Sequence, residues 1–507
     1  MHRKFSIFLF VTTLFFAFAS CTKNTIPDRT QNIIVDTTPA GKPEWYVPQL
    51  PALSSTFETF FNPTGVIEIH LAITELEWNG MLHDYDMNMR TEMYRMASCT
   101  ISGNGVNASL PAIGLRLRGN TSRKRPEAGI GNHLPTNKLV RVHYKLKFNY
   151  TFDADESAYG PPAVDIPKNK DYKFQEIMDK VMGMSLKYNN GDPSGIREAL
   201  SYEMNRKFGV DAVHTTFARL YIKIGNEDDR YIGVYLAFED VDKTWVQRRN
   251  NNQYSALFKC LWQDFGPADL SQPDFDGNLT TGRIGEEITD PSTFAVFNAG
   301  HYQYHPAYDM KEDSDATGVD GMNSLITLLT SNPTQTQLKN AIDVQEFIRA
   351  MAVNVMVGQA DDYWRGGNNY YMYRNPANQN KWTFMPYDND RTWGINTFGP
   401  ETSTSSVLHW GDNSGTPCNP VLVNTIFSDP QNISYYKSYL TYMIDNGYFT
   451  KDVIQKRINE MQSAISPYTT GYNIDYDVYP FSTDISGILD YVQKRIDMVN
   501  KECRTKK

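Results

Sequence analysis

Between Val66 and Ile73 the chain alternates Ile67, Ile69, Leu71 and Ile73 with Glu68 and His70, the period-two pattern of a strand with one buried face. A second strand is expected at Ile113 to Leu117. A third runs to Phe148, where Tyr144, Leu146 and Phe148 alternate with Lys145 and Lys147, so both lysines leave one face. The period then changes. After Asp192-Pro193-Ser194, the residues Ile196, Leu200 and Met204 recur at helical spacing until Gly209 closes the turn. Phe217 to Lys223 and Tyr231 to Phe238 form a predicted hairpin across Gly225 to Asp229. Asp343 and Glu346 open a helix to about Val357, a polar loop leads to a strand at Asn369 to Tyr373, and a turn at Asn375 to Asn378 returns the chain through Lys381 to Met385. Near the C-terminus Ile485, Ile488, Leu489, Val492, Ile496 and Val499 mark one buried helix face. The expected class is α+β, with a mostly β N-terminal portion and a helical C-terminal portion.

The first residues follow a different logic. His2, Arg3 and Lys4 precede an apolar run from Phe5 to Phe18, then Ala19-Ser20 and Cys21. That order predicts a signal peptide over 1–20 and lipidation at Cys21, which would place the protein on a bacterial cell envelope, at the outer membrane or cell surface, held by its lipid alone. Phe18 departs from the smaller aliphatic residue usual three places before such a cysteine. The Thr-, Pro-, Asn- and Asp-rich stretch over 21–51 is the expected tether. The body, 52–507, divides into a β-rich part (52–150), a core carrying the candidate site (151–410) and a helical end (411–507).

Composition narrows the classes of function. Hydrophobic residues make up 40% and aromatic residues 13%, enough to fill the cores of one large or two medium domains. A net charge of −9 argues against nucleic acid as a partner. Cys99, Cys260, Cys418 and Cys503 have no CxxC spacing, which disfavours a zinc cage and leaves disulfides and buried thiols both open. His301 and His305 are four apart, but Pro306 and the surrounding tyrosines oppose the helix a metal pair would need.

The chemistry concentrates around one hairpin. Asp361, Asp362, Asn368 and Asn369 precede it, and Asp388 and Asp390 follow. Phosphoryl transfer needs a carboxylate to position the attacking hydroxyl and further oxygen ligands for metal, and in kinases they come in this order. Here Asp361 to Asn368 is seven residues and Asp361 to Asp388 is 27, longer than the kinase spacing. Helix capping and turn chemistry would account for the same aspartates. The run from Arg116 through Arg118, Gly119, Asn120 and Ser122 to Lys124 suits an anion at a strand end, and so do Lys145 and Lys147, although a solvated basic face explains them equally.

Taken in series, RGNTS at Arg118 to Ser122, YKLKFN at Tyr144 to Asn149, IREALSYEMNRKFG at Ile196 to Gly209, YIGVYLAFED at Tyr231 to Asp240, LFK at Leu257 to Lys259, DDYWRGGNNYYMY at Asp361 to Tyr373 and PYDNDRTWG at Pro386 to Gly394 resemble the CotH kinase family, atypical kinases named after spore coat protein H. The resemblance implies a divergent protein-kinase-like fold and ATP- and Mg²⁺- or Mn²⁺-dependent phosphorylation of Ser or Thr in an exported protein. It implies Lys147 at the phosphates beside Arg118, Asn120 and Ser122, and Asp361 or its tandem neighbour Asp362 as catalytic. It further implies Asn368 or Asn369 near the metal, Asp388 as metal ligand, and Asp390 as a second. Glu239 would line the nucleotide site, pair with a lysine such as Lys259, or be only a structural ion pair. This chain carries Tyr387 where the family often has Trp. The competing class is a non-catalytic envelope scaffold or binding lipoprotein, which would draw on Trp364, Tyr370, Tyr371, Tyr373 and Trp410 if they form a flat exposed platform.

Overall fold

The computed structural model describes residues 43, 45–87, 89–120, 122–127, 139–152, 170–189, 191–263, 266–272, 284–285, 288–289, 303–304, 306–313, 318–395, 402–412, 414, 418–469 and 481–504. The expected signal peptide, Cys21, most of the tether, His301 and His305 lie outside them. The chain packs as body from Trp45, whose ring meets Tyr439 and Tyr442 edge-on at 6.0 and 5.4 Å, with Val47 buried beside it. The last residues drawn as tether are therefore part of the folded structure.

The first half is a closed barrel. Helix α1 (Ser55–Phe60) is capped by Ser54 and leads to β1 (Val66–Ile73), α2 (Glu75–Met87), β2 (Arg95–Gly103), β3 (Val106–Leu117), β4 (Tyr144–Lys147) and β5 (Gly183–Lys187). Helix α3 (Arg197–Lys207) then precedes β6 (Thr215–Ile224) and β7 (Arg230–Glu239). The strands close in the order β1-β2-β3-β4-β5-β7-β6, with β6 parallel to β1 and the other neighbours antiparallel. Closure gives every strand a neighbour on each side, with β4 meeting β3 at Gly114–Leu117 and β5 meeting β7 at Leu236–Glu239. Ile67, Ile69, Leu71 and Ile73 point inward to Ile113, Leu115, Leu146, Leu186 and Leu220, as the alternation predicted.

The second half is a five-stranded sheet wrapped by helices. After α4 (Lys243–Arg249) come β8 (Leu257–Cys260), β9 (Ile284–Gly285), the small pair β10 (Ile288–Thr289) and β11 (Gln303–Tyr304), and β12 (Tyr308–Glu312). Helices α5 (Gly318–Thr330), α6 (Gln335–Ala341), α7 (Val344–Val357) and α8 (Tyr363–Gly366) precede β13 (Tyr370–Asn375) and β14 (Lys381–Pro386). The sheet runs β14-β13-β8-β12-β9, and α9 (Val421–Ile426), α10 (Pro430–Asp445), α11 (Lys451–Ile465) and α12 (Ser486–Cys503) finish the chain. Every residue of α7 except Gln345 is buried, so it serves as the axis of this half, packed on α10, α3 and β14.

The class is thus α+β, strands first and helices last. No helix among the described residues is long and apolar enough to cross a membrane. Cys99, Cys260 and Cys418 are buried and Cys503 is half-buried, and none of the four is in a disulfide among the described residues.

Candidate functional site

Strand β5 is buried along its whole length and ends on a charge, Lys187. In the loop that follows, Asp192 accepts from the amides of Ser194 and Arg197, each at 3.0 Å, and this sets the start of α3. Glu198 therefore falls in the first turn of α3, where Lys187 Nζ donates to it at 2.9 Å. The same ammonium donates to Asp388 just beyond β14 and lies 3.6 Å from Asp390. One lysine thus joins the barrel, α3 and the end of the second sheet. Burial opposes its charge, but Asp388, Asp390 and Glu198 prevail and push its pKa up.

The carboxylates divide by environment. Burial, joined by Asp388 and Asp390, raises Glu198 to about 7 against the pull of Lys187. Burial would raise Asp388 too, yet Lys187, Arg118 and Lys259 hold it well below the usual carboxylate range. Asp388 keeps 37% of its side chain open to solvent and takes a left-handed backbone, φ 56°, with its amide donating to the Tyr202 hydroxyl at 3.0 Å. A non-glycine residue in that conformation is strain of the kind that clusters at working sites. Beside Glu198 and Asp390 lies a small open recess lined also by Tyr188, Asn189 and Asp192.

The second acidic loop leaves α7 at Gly358, φ 73°, and is stitched to the first. The Gln359 side chain donates to the Asp388 carbonyl at 2.7 Å and accepts from the Asp361 amide at 3.1 Å, while the Ala360 amide donates to the Arg391 carbonyl at 3.0 Å. Asn368 donates to both Asp361 oxygens at 3.1 and 3.2 Å, and Asn369 donates to the same carboxylate at 3.0 Å. Burial, then Asp388 and Asp390 against those amides, takes Asp361 to about 6. Asp362 points elsewhere: it caps α8 by accepting from the Arg365 amide at 2.9 Å, and also accepts from Trp410 Nε1 at 3.3 Å. It is 1% exposed, and burial takes it to about 7. Of the tandem pair, Asp361 faces the cluster and Asp362 holds the scaffold.

Cations form the facing wall. Arg118 at the end of β3 donates to the Tyr387 hydroxyl at 2.7 Å and sits 5.0 Å from the Phe238 ring, and Lys259 on β8 lies 5.3 Å from the Tyr387 ring. Burial and the nearby charges of Lys311 and Arg118 lower Lys259 to about 8. Lys145 is ion-paired to Asp240 at 2.5 Å.

The remaining candidates are placed differently. Lys147 is exposed and faces Gly183 in the register, four residues along β5 from Lys187, or roughly 13 Å at a strand's rise per residue. Asn120 is exposed on the RGNTS turn and Ser122 is half-buried below it, and among the described residues neither hydrogen-bonds the acidic cluster. Glu239 is fully buried and paired to Arg248 at 2.7 Å and Arg249 at 2.5 Å, so of the readings open to it the structural ion pair is the one observed, and Lys259 is not its partner. The Asn368 oxygen accepts from the Trp262 amide at 2.8 Å, which leaves this side chain positioning Asp361. Trp364, Tyr370, Tyr371, Tyr373 and Trp410 are buried and form no exposed platform.

Sequence reasoning missed Lys187, Glu198 and Gln359. A lysine closing an otherwise apolar strand, followed by a polar turn and a helix with Glu in its first turn, was the available signal for the first two.

The profile of one protein family, described as CotH kinase protein, matches residues 115–499. The chain belongs to the CotH family. Among its relatives, the Rhizopus delemar protein named Invasin CotH2 is 24% identical over 288 residues, covering 56% of this chain and 44% of that protein. Invasin CotH3 of the same organism is 23% identical over 308 residues, covering 54% and 47%. Spore coat protein homolog 1, also from Rhizopus delemar, is 24% identical over 208 residues, covering 40% and 29%. The alignments thus span less than half of each of these relatives.

Proposed function

We propose that this chain is an atypical kinase with a divergent protein-kinase-like fold, transferring the terminal phosphoryl group of ATP to Ser or Thr of an exported protein. In this reading it is anchored by a lipid on Cys21 to the bacterial cell envelope. The observation that carries the proposal is Lys187 bridging Glu198 and Asp388, with Asp361 held beside them by Asn368. Asp388 and Asp390 are partly solvent-open carboxylates of the kind that hold Mg²⁺ or Mn²⁺ together with substrate phosphates, although no group of three or more acidic, His or Cys ligands is assembled among the described residues. Asp388 and Asp390 would hold the metal, which supplies charge neutralisation between phosphates. Arg118, Lys187 and Lys259 would bind phosphate oxygens. Asp361, oriented by Asn368 and Asn369, would accept the proton of the attacking hydroxyl.

A second reading, a surface-binding protein that uses the fold without catalysis, draws support from the invasin names of two relatives. Calorimetry of ATP with Mg²⁺ or Mn²⁺ on the body lacking residues 1–42, with Asp388→Ala as control, separates the two. Metal-dependent binding lost in the variant supports the kinase reading. Absence of binding by the unaltered body favours the surface-binding reading.

A further inference from the structure

Helix α12 is remote in sequence from the acidic loops, yet one of its faces grips the backbone on both sides of them. Tyr491, Arg495 and Glu502 stand at i, i+4 and i+11, a spacing that keeps them on one side of the helix. The Tyr491 hydroxyl donates to the Met356 carbonyl at 3.0 Å. Its ring closes on Gly358, where an added Cβ would collide with that hydroxyl, and lies 6.3 Å from Trp393 and against Gly394. Tyr491 therefore touches the entry to the Asp361 loop and the exit from the Asp388 loop together.

Arg495 is fully buried and donates to the carbonyls of Thr402 and Ser405 at 3.1 and 2.6 Å. Its guanidinium lies 5.2 Å from the ring of Trp410, the residue whose indole reaches Asp362, beside Asp361. Glu502 accepts from Ser406 Oγ at 2.7 Å and from the amides of Val407 and Leu408 at 2.9 and 3.3 Å. Five of the contacts end on main-chain atoms, so the helix fixes the path of the chain itself. Both Arg495 bonds leave from Nη1, and breaking them would strand a buried charge whose Nε and Nη2 have no hydrogen-bond partner among the described residues.

We propose that α12 is the positioning element of the transfer site: through Tyr491, Arg495 and Glu502 it holds the Asp361 loop, the Asp388 loop and the 402–410 segment in one permanently assembled geometry. None of the three touches a reacting atom. The inference rests on the phosphotransfer reading for its effect on rate, and on hydrogen exchange for its effect on geometry.

The test uses the whole body, with ATP, Mn²⁺ and dephosphorylated casein as probe, and the variants Glu502→Ala, Glu502→Gln and Arg495→Lys. A displacement of about 1 Å in a reacting group lowers a rate by about 10²-fold. Glu502→Ala is expected to lower kcat by that order with KM for ATP within about twofold, and to speed amide exchange at 359–362 and 388–394. Glu502→Gln, whose side-chain oxygen still accepts hydrogen bonds, recovers most of the loss, and Arg495→Lys, which keeps the charge but shortens the reach to Thr402 and Ser405, lowers kcat less than Glu502→Ala does. Unchanged exchange in both loops in folded Glu502→Ala and Arg495→Lys overturns the proposal, as does an equal loss in all three variants that tracks melting temperature alone. Should the wild type transfer no phosphate, the kinase reading falls by itself, and the exchange pattern still decides whether α12 positions the loops.

Discussion

Two buried charge clusters lie on the barrel, and they differ in how completely they are matched. Glu239 at the end of β7 is 0% exposed, and Arg248 and Arg249 close on it, with the His214 ring 3.1 Å away. Around Lys187 the ratio is inverted: Glu198, Asp388 and Asp390 crowd one ammonium, and Asp388 remains open to water. The first cluster encloses one carboxylate between two guanidiniums and buries its charge for the fold. The second sets three carboxylates around one ammonium, with Arg118, Lys259 and Arg391 close by and Glu198 raised to about 7. Charge surplus together with solvent access, more than burial or pKa shift alone, recommends the second cluster over the first as the candidate site.

The largest expected effect tests the open cluster. Asp388→Ala and Lys187→Met should each lower metal-dependent transfer by about 10³-fold, the order seen when a preorganised charge is removed from a transition-state site. The melting temperature should fall moderately for Asp388→Ala, because buried Lys187 loses one carboxylate but keeps Glu198 and Asp390. Near-wild-type turnover in either variant would remove these residues from the site.

Glu239→Gln addresses the closed cluster with the opposite profile. Taking one partner from a buried ion pair costs about 3–5 kcal/mol, so urea unfolding should shift strongly while the folded protein binds nucleotide as before. A neutral effect on stability would mean that the arginines find other partners.

The pH dependence should split the same way. Burial and Arg206 lower His214 to about 3, so the unfolded chain takes up its proton first and stability falls as pH drops below about 6.5. Between pH 6.5 and 5 that contribution amounts to about 2 kcal/mol. Glu198, near 7, and Asp361, near 6, act in reverse: their contribution is present at low pH and is lost as pH rises through those values. A Glu198→Gln/Asp361→Asn variant should therefore lose more stability than wild type on going from pH 7 to pH 5, as unfolding midpoints at the two values would measure. Parallel pH curves would contradict the assignment of opposite contributions.

The smallest effect lies at the border of the open cluster. Tyr387→Phe removes the hydroxyl that accepts from Arg118 but keeps the ring against Tyr371 at 5.0 Å. With one hydrogen bond worth about 1 kcal/mol, nucleotide affinity should weaken about fivefold. Unchanged affinity would show that Arg118 does not depend on Tyr387 for its position.

Much of this was legible because local pattern and local chemistry agree. Alternation located β1, the Gly225 to Asp229 turn located the β6–β7 hairpin, and Asp343 does accept from the Glu346 amide at 3.0 Å to start α7. Glu346 itself turns to the Asp211 amide at 3.0 Å, so only half of the expected capping box forms. The acidic loops were visible because they are polar stretches flanking one hairpin. Lys187 was hidden by β5, which is buried on both faces and so shows no alternation to flag its last residue. Lys147 stood out in YKLK for the opposite reason: an exposed lysine makes the pattern clean. Glu239 misled because a strand ending in Glu looks the same whether lysine or arginine meets it in space. No sequence rule pairs Tyr491 with Gly358, since that contact joins segments the chain separates widely.

The parallel β1–β6 ladder joins Val66 to Phe217, and α3 with its Glu198 lies in the stretch between β5 and β6. Contacts so distant along the chain form slowly and late, because loop closure must precede them. Until β6 and β7 exist, β5 has no second neighbour to bury it and Lys187 has no fixed seat. Sealing the barrel thus completes the seat of Lys187, and a nascent chain cut short before β7 would carry both residues of the Lys187–Glu198 pair without the strand that buries β5.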